Sequence, residues 1–171
     1  MKYDICAIGN ALVDTQYMVE HDFLVAIGLE ADSMTLTSAE EQSPIVKKLK
    51  EMNAESVSDC GGSATNSLVA ASNYGSICHH VCRVSDDEDG QKYLDSLKVA
   101  GVEHIGFSKE ECDLPTGKCL IFVTPDAKRT MSSMLGISAF LGPLDINLDA
   151  IRNSKIFYIE GYMGTSDENF N

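Results

Sequence analysis

The sequence predicts an α/β fold, and three observations carry that expectation. Residues 3–9 (Tyr-Asp-Ile-Cys-Ala-Ile-Gly) are an apolar run of strand length that stops at a glycine, as a buried strand does. Ser38 is followed three positions on by Glu41, the pattern of a capping box, and Ile45, Leu49 and Met52 recur behind it at helical spacing. A glycine pair, Gly61-Gly62, stands directly before a small-residue helix. The composition, 44% hydrophobic and 23% charged over 171 residues, allows one domain with a substantial core.

The elements follow in order. Just past the first strand stand Asn10 and Asp14, at the end of a strand where open α/β sheets bind ligands. Asn10 can donate and accept, and ionised Asp14 only accepts, a pairing that suits the hydroxyls of a polyol or ribose; a turn held by Asx side chains explains the same residues. Residues 13–19 mix apolar and polar side chains as an exposed strand, 22–27 form a short helix stopped by Gly28, and 33–36 form another short strand. In the helix behind Ser38, Lys47, Lys48 and Lys50 are a solvated face near the C-terminus, where the helix dipole favours cations. Residues 55–59 return as a strand into Cys60-Gly61-Gly62-Ser63-Ala64-Thr65-Asn66-Ser67. Paired glycines permit a sharp turn or a close approach to a ligand, and Ser63, Thr65, Asn66 and Ser67 put short hydrogen-bonding side chains at a helix start. The pattern fits a binding site and fits equally a plain loop-to-helix turn with its cap. The helix runs to about residue 74 and ends at Gly75, with Ala64, Ala70, Ala71 and Ser72 allowing close packing on a sheet.

Residues 76–84 form the next strand. Its Cys78-His79-His80-Val81-Cys82 holds metal-ligand residue types, but a strand puts Cys78, His80 and Cys82 on one face and His79 on the other, and no second pair follows at zinc spacing. The acidic residues 85–90 lack the alternating ligands of an EF-hand and read as the N-terminal charge of a helix over 91–100. Gly101-Val102 closes that helix and starts an extended segment. After the turn Leu114-Pro115-Thr116-Gly117, the β-rich runs 118–124 and 129–135 flank Pro125-Asp126-Ala127-Lys128 and pair as an antiparallel ribbon. Arg129 at its return is an anion contact or a solvated hairpin charge. Residues 148–153 form a short helix and 155–159 a buried strand, whose end carries Glu160-Gly161-Tyr162 in a repeat of the first strand's arrangement.

Charge and cysteine usage exclude several classes. The formal net charge of −13, with no dense Lys/Arg cluster, argues against nucleic acid or an anionic membrane as partner. No apolar run approaches bilayer length, and Met1-Lys2-Tyr3-Asp4 leads straight into a strand, so a cytoplasmic protein is expected. Cys6, Cys60, Cys78, Cys82, Cys112 and Cys119 read as reduced residues, several within apolar runs.

A set of motifs then appears in a characteristic order: Gly9-Asn10-Ala11-Leu12-Val13-Asp14, Gly61-Gly62-Ser63-Ala64-Thr65-Asn66-Ser67, and residues 87–90 (Asp-Glu-Asp-Gly) before a helix ending Ala100-Gly101-Val102. Thr116-Gly117, Pro125-Asp126 with Arg129-Thr130, and Tyr158-Ile159-Glu160-Gly161-Tyr162 complete it. With these the chain resembles the N-terminal half of the ribokinase/PfkB family of carbohydrate and nucleoside kinases, most closely the adenosine-kinase-like branch. The resemblance implies a ribokinase-like three-layer α/β core, the N-terminal part of a mostly parallel sheet with flanking helices, plus a small β lid. Residues 1–171 would be a single partial kinase domain with lid segments at about 13–37, 55–60 and 117–135. It implies that Asn10, Asp14 and Asn66 hold substrate hydroxyls and that Gly61, Gly62 and Ser63 let the backbone approach the substrate. The two glycines would also flex where lid joins core. Leu12 and Tyr162 would flank a base or another apolar part, and Arg129 would contact the transferred phosphate. ATP and Mg²⁺ are the implied cofactors of the complete enzyme, a small-molecule sugar or nucleoside its partner, with a homodimer through the lid allowed by the same likeness.

Departures accompany the match. Ala127-Lys128 stands where many members carry Gly-Glu, and Cys82-Arg83-Val84-Ser85 where many carry Gly-x-x-Gly. The family's Asn-x-x-Glu motif and its Gly-Ala-Gly-Asp-like loop, which carries the general base and the anion hole, are absent from residues 1–171. The chain is therefore expected to hold no catalytic residue and no metal, and to lack kinase activity by itself. Two readings follow: the substrate-and-lid half of an ATP-dependent kinase acting on a primary alcohol, or a non-catalytic sugar- or nucleoside-binding or interaction module. A dinucleotide-binding oxidoreductase fails because residues 9–14 lack Gly-x-Gly-x-x-Gly.

Overall fold

The computed structural model describes residues 1–104, 106 and 113–164. Its centre is a four-stranded sheet of β1 (Tyr3–Ile8), β5 (Cys78–Val81), β6 (Val102–His104) and β9 (Ser154–Ile159), in the order β6-β5-β1-β9 and parallel throughout. Alternation along β1 sends Ile5 and Ala7 to one face and Cys6 and Ile8 to the other, so each face is apolar and each needs a cover. Helices α3 (Ser63–Asn73) and α4 (Glu88–Val99) cover the first face through Leu68, Tyr93 and Leu97. The short helix α5 (Leu148–Arg152) covers part of the second with Ala150, beside Leu141 and Met163. The three-layer α/β core expected from the sequence is therefore present.

A second sheet stands beside it, with strand order β3-β8-β7-β2-β4. It is built of β2 (Leu12–Met18), β3 (Met34–Leu36), β4 (Ser56–Gly61), β7 (Gly117–Val123) and β8 (Arg129–Met134). β2 pairs antiparallel with β4 and parallel with β7, and β7 and β8 form the antiparallel ribbon that the turn at residues 125–128 predicts. Helices α1 (His21–Ile27) and α2 (Ala39–Glu51) cover one face, where Phe23, Leu24, Ile45 and Leu49 pack on Leu120 and Phe122. The capping box at α2 is complete: Glu41 N donates to Ser38 Oγ at 3.2 Å and Ser38 N donates to Glu41 Oε2 at 2.7 Å.

Two polar ties at the start of α4 are among those that hold the second sheet to the core. Asp87 caps α4 by accepting from Gly90 N at 2.7 Å, and the same carboxylate accepts from Thr116 N at 2.8 Å and Thr116 Oγ1 at 2.7 Å, just before β7. Lys118 of β7 pairs with Asp89 of α4 at 2.6 Å. The acidic stretch thus serves a helix start, as read, and α4 begins at Glu88 because Asp87 caps it.

Other boundaries differ from expectation. β4 runs on through Gly61, because pairing with Leu12 continues to that residue, and only Gly62 turns. The strand read as buried over 155–159 is an edge strand, bonded among the described residues to β1 alone, and its Ile156, Phe157 and Ile159 are 57%, 41% and 56% exposed. His79 and His80 fall on opposite faces of β5, as the strand reading requires: His79 lies against the Tyr3 ring and His80 against Tyr93. Cys6, Cys60, Cys78, Cys82 and Cys119 are free thiols, and Cys112 lies outside the described residues. Among the described residues no helix is long and apolar enough to cross a membrane.

Truncating a fully enclosed side chain of the core should cost far more than truncating one on the open edge. Leu68→Ala is expected to lower unfolding free energy by about 2–5 kcal/mol and Ile156→Ala by about 0.5 kcal/mol, measured by urea denaturation.

Candidate functional site

The chain passes from the parallel sheet to the second sheet in the three residues between β1 and β2, and returns to the core between β4 and α3. These two crossings run side by side, and the end of β9 closes on them. Glu160, 2% exposed, is the joint. Its Oε1 accepts from Asn10 N at 2.6 Å; its Oε2 accepts from Ser63 Oγ at 2.7 Å and from Ala64 N at 2.9 Å. A carboxylate at a helix N-terminus satisfies donors that the helix leaves open and is favoured by its dipole, so Glu160 supplies the cap that Gly62 has no side chain to provide.

Gly62 makes this crossing feasible. Its φ is +99°, in the left-handed half of conformational space, and a Cβ there would run into the Asn10 carbonyl. Gly61 answers a different demand: a Cβ on it would overlap the Asp14 carboxylate, which lies across it. The bare backbone of one strand is where the acid of its neighbour rests.

Between the crossings and the uncovered face of the second sheet lies a cleft of about 330 Å³. Strand register explains its roof. Asp14, Cys119, Ser133 and Leu36 form one row across β2, β7, β8 and β3, and Ile121, Met131 and Met34 form the next. Side chains in such rows share a face. Leu12 and Leu135 extend the apolar roof, and Arg129 stands at its margin. The opposite wall is polar: Asn10, Gly62, Ser63, Asn66 and Glu160, with the half-exposed Tyr162 beside them.

Burial pushes the Asp14 carboxyl up to about 6; Arg129 opposes that rise and Asp59 adds to it. Burial likewise pushes up the Cys119 thiol, which accepts a weak hydrogen bond from Ser133 Oγ at 3.3 Å. Asn10 is 2% exposed and its Oδ1 accepts from Ser138 Oγ at 3.3 Å. Chemically, the cleft offers a hydrogen-bonding wall and carboxylate, an apolar ceiling wide enough for a flat group, and one guanidinium able to meet an anion. Among the described residues no group of three His, Cys, Asp or Glu side chains is placed to hold a metal ion.

The structure brings Asn10, Leu12, Asp14, Gly62, Ser63, Asn66, Tyr162 and Arg129 into one cleft; Gly61 stands behind Asp14 and does not line it. Sequence reasoning passed over the part Glu160 plays, though a lone acid ending an apolar run is its signal. It also passed over the roof residues Met34, Leu36, Cys119, Ile121, Met131 and Ser133, whose shared face is set by the register of separate strands. Glu160→Gln replaces one of the two acceptor oxygens with a donor, so that at least one of the three donors loses its acceptor, and is expected to lower stability by about 1–3 kcal/mol in urea denaturation.

Comparisons with known proteins agree on one kind of molecule. A family model described as pfkB family carbohydrate kinase matches residues 22–171. The crystal structure of adenosine kinase from Sinorhizobium meliloti superposes with a TM-score of 0.84 at 30% identity, covering 99% of this chain and 50% of that one. A probable sugar kinase protein from Rhizobium etli CFN 42 gives a TM-score of 0.82 at 28% identity over 96% of this chain and 48% of that one. Fructokinase-2 of Solanum lycopersicum is 32% identical over 102 residues, 57% of this chain and 30% of that protein. The chain thus spans about half the length of the two solved relatives and matches less than a third of the curated one.

Proposed function

Because the chain belongs to the pfkB family of carbohydrate kinases, we propose that residues 1–171 form the acceptor-binding and lid portion of an ATP-dependent kinase that phosphorylates a primary alcohol of a nucleoside or sugar. The observation that carries this reading is the cleft itself, in which Asp14 and Arg129 face a polar wall under an apolar ceiling. That ceiling, made by Leu12, Met34, Leu36, Ile121 and Met131, favours an acceptor with a flat apolar part, and so a nucleoside over a simple sugar.

On this reading Asp14 accepts hydrogen bonds from acceptor hydroxyls, Asn10 and Asn66 add further polar contacts, and Arg129 lies where transferred phosphate would need neutralising. The second sheet excludes water from the acceptor. ATP supplies the phosphoryl group when bound, and Mg²⁺ would neutralise its charge. The described residues offer neither a metal ligand set nor more than one cation in the cleft, so no step is drawn through either. In a protein of the relatives' length, the remaining half would hold both and supply the base. Residues 1–171 alone are then expected to bind acceptor without hydrolysing ATP.

Calorimetric titration of the chain with adenosine and with fructose tests this. Adenosine should bind, and Asp14→Ala should weaken binding about tenfold or more; unchanged binding in that variant removes Asp14 from the site. Acidity gives a second readout. A ligand that donates to Asp14 prefers its ionised form, so binding should strengthen as pH rises through about 6, and Asp14→Asn should flatten the profile. The stability of the unliganded protein should move the other way. A folded pKa above the unfolded value of about 3.9 means that ionisation favours unfolding, so Asp14 costs stability as pH rises from about 4 through about 6. Asp14→Asn should remove that decline in thermal midpoint.

A further inference from the structure

We propose that Asp59 is a positioning residue for the cleft: from its place opposite Asp14 in the β2–β4 ladder, its charge drives the Asp14 carboxylate over Gly61 and makes acceptor binding depend on pH. The proposal deepens the reading of the cleft as an acceptor site and rests on it for the binding step.

β2 and β4 pair antiparallel with Asp14 directly across from Asp59. Residues so placed share a face with their Cβ atoms about 4.5–5.5 Å apart, and two like charges there are unfavourable. The Asp14 carboxylate leans away from that encounter. It lies over Gly61, two residues along β4 from Asp59, in space that a Cβ on residue 61 would fill. From there it lines the cleft with Gly62 and Ser63 of the crossing. Asp59 stands on an outer strand, exposed, and its Oδ1 accepts from Cys60 N at 2.8 Å, which keeps its carboxylate close to the ladder. The pairing of β4 with β2 is made by main chain, so a neutral polar residue at position 59 would serve the fold as well, without the repulsion.

The groups around Asp14 leave this charge unanswered at its own strand. Burial is the largest cause of the raised Asp14 carboxyl; Arg129 of β8 opposes it, and Asp59 adds to it. Glu160, across the cleft, is occupied by three donors. The thiols of Cys119, opposite Asp14 on β7, and of Cys60 on β4 are pushed up by burial and carry no charge near neutral pH. Behind Asp59, Lys92 and Asp95 of α4 line a shallow cleft, where Lys92 pairs with Glu88 at 2.8 Å and Asp95 accepts from Gln91 at 3.0 Å. One charge then has two effects. Ionised Asp14 is pushed toward the glycine, where its oxygens face the ligand. Its ionisation also waits for a higher pH than burial and Arg129 alone would set, so an acid medium withdraws the carboxylate that an acceptor needs.

The test compares the full chain with Asp59→Asn and Asp59→Glu. In the unliganded proteins the ¹³C carboxyl resonance of Asp14 is followed against pH, and couplings to its β-protons read its rotamer. From a wild-type midpoint at about 6, Asp59→Asn should lower the midpoint by about 0.5 pH unit or more and average the couplings. Asp59→Glu keeps the charge and should restore both. Calorimetric titrations with adenosine across about pH 5–8 should show the pH of half-maximal affinity falling together with the carboxyl midpoint. A folded Asp59→Asn chain whose Asp14 midpoint stays within about 0.2 pH unit of wild type, or whose couplings are unchanged, overturns the proposal. So does an affinity profile that stays in place while the carboxyl midpoint falls. If none of the three chains binds adenosine, the acceptor-site reading fails and the pH control of binding with it, while the carboxyl titration still decides whether Asp59 acts on Asp14.

Discussion

A single buried carboxylate holds the ends of three elements that sequence separates widely. Glu160 closes β9, and its two oxygens take donors from residue 10, just past β1, and from residues 63 and 64, at the start of α3. Enclosing a charge is unfavourable unless donors surround it, and here each is a donor the fold would otherwise leave open. The consequence reaches beyond the junction. Two of the four chain crossings between the two sheets pass through it, so Glu160 also helps set how the second sheet stands over the core, and hence the width of the cleft.

The cleft works against the stability of the fold that makes it. Asp14 is placed on the glycine of a neighbouring strand, partly out of water and near Asp59, and only Arg129 lightens its charge. Its carboxyl holds its proton to about 6, a strain that a ligand donating hydrogen bonds would relieve. Groups perturbed in this way gather where proteins bind and react, because the interactions missing in the empty site are the ones a ligand brings. The apolar half of the cleft tells the same story: Met34 and Leu36 are exposed on the cleft face of a sheet whose other face carries the packed cluster of Phe23, Leu49 and Phe122.

Local signals in the sequence carried most of the architecture. Ser38 with Glu41, the apolar run at residues 3–9, the small residues after Gly62 and the turn at 125–128 each act within a few positions, and each element formed where those signals put it. What escaped was set by distant partners. Residues 155–159 have the composition of a buried strand, yet burial depends on neighbours, and among the described residues this strand has one. Gly61 sits beside a turn but stays in β4 because Leu12 pairs with it. The row from Asp14 through Cys119 and Ser133 to Leu36 exists only once four strands are in register, and nothing in any one of them announces it. For the same reason, Asn10 and Asp14 could be named as candidates, while Ser138, 128 residues from Asn10, could not.

The central claim is that the cleft under the second sheet receives an acceptor against Asn10, Asp14 and the start of α3. Chemical-shift mapping of the ¹⁵N-labelled chain during an adenosine titration tests it most directly. The account predicts saturable shifts at the amides of Asn10, Leu12, Asp14, Gly62, Ser63 and Asn66, with the far face of the sheet around Phe23, Leu49 and Phe122 unmoved. Saturable shifts confined to that far face, or none at all in a folded chain, would contradict it.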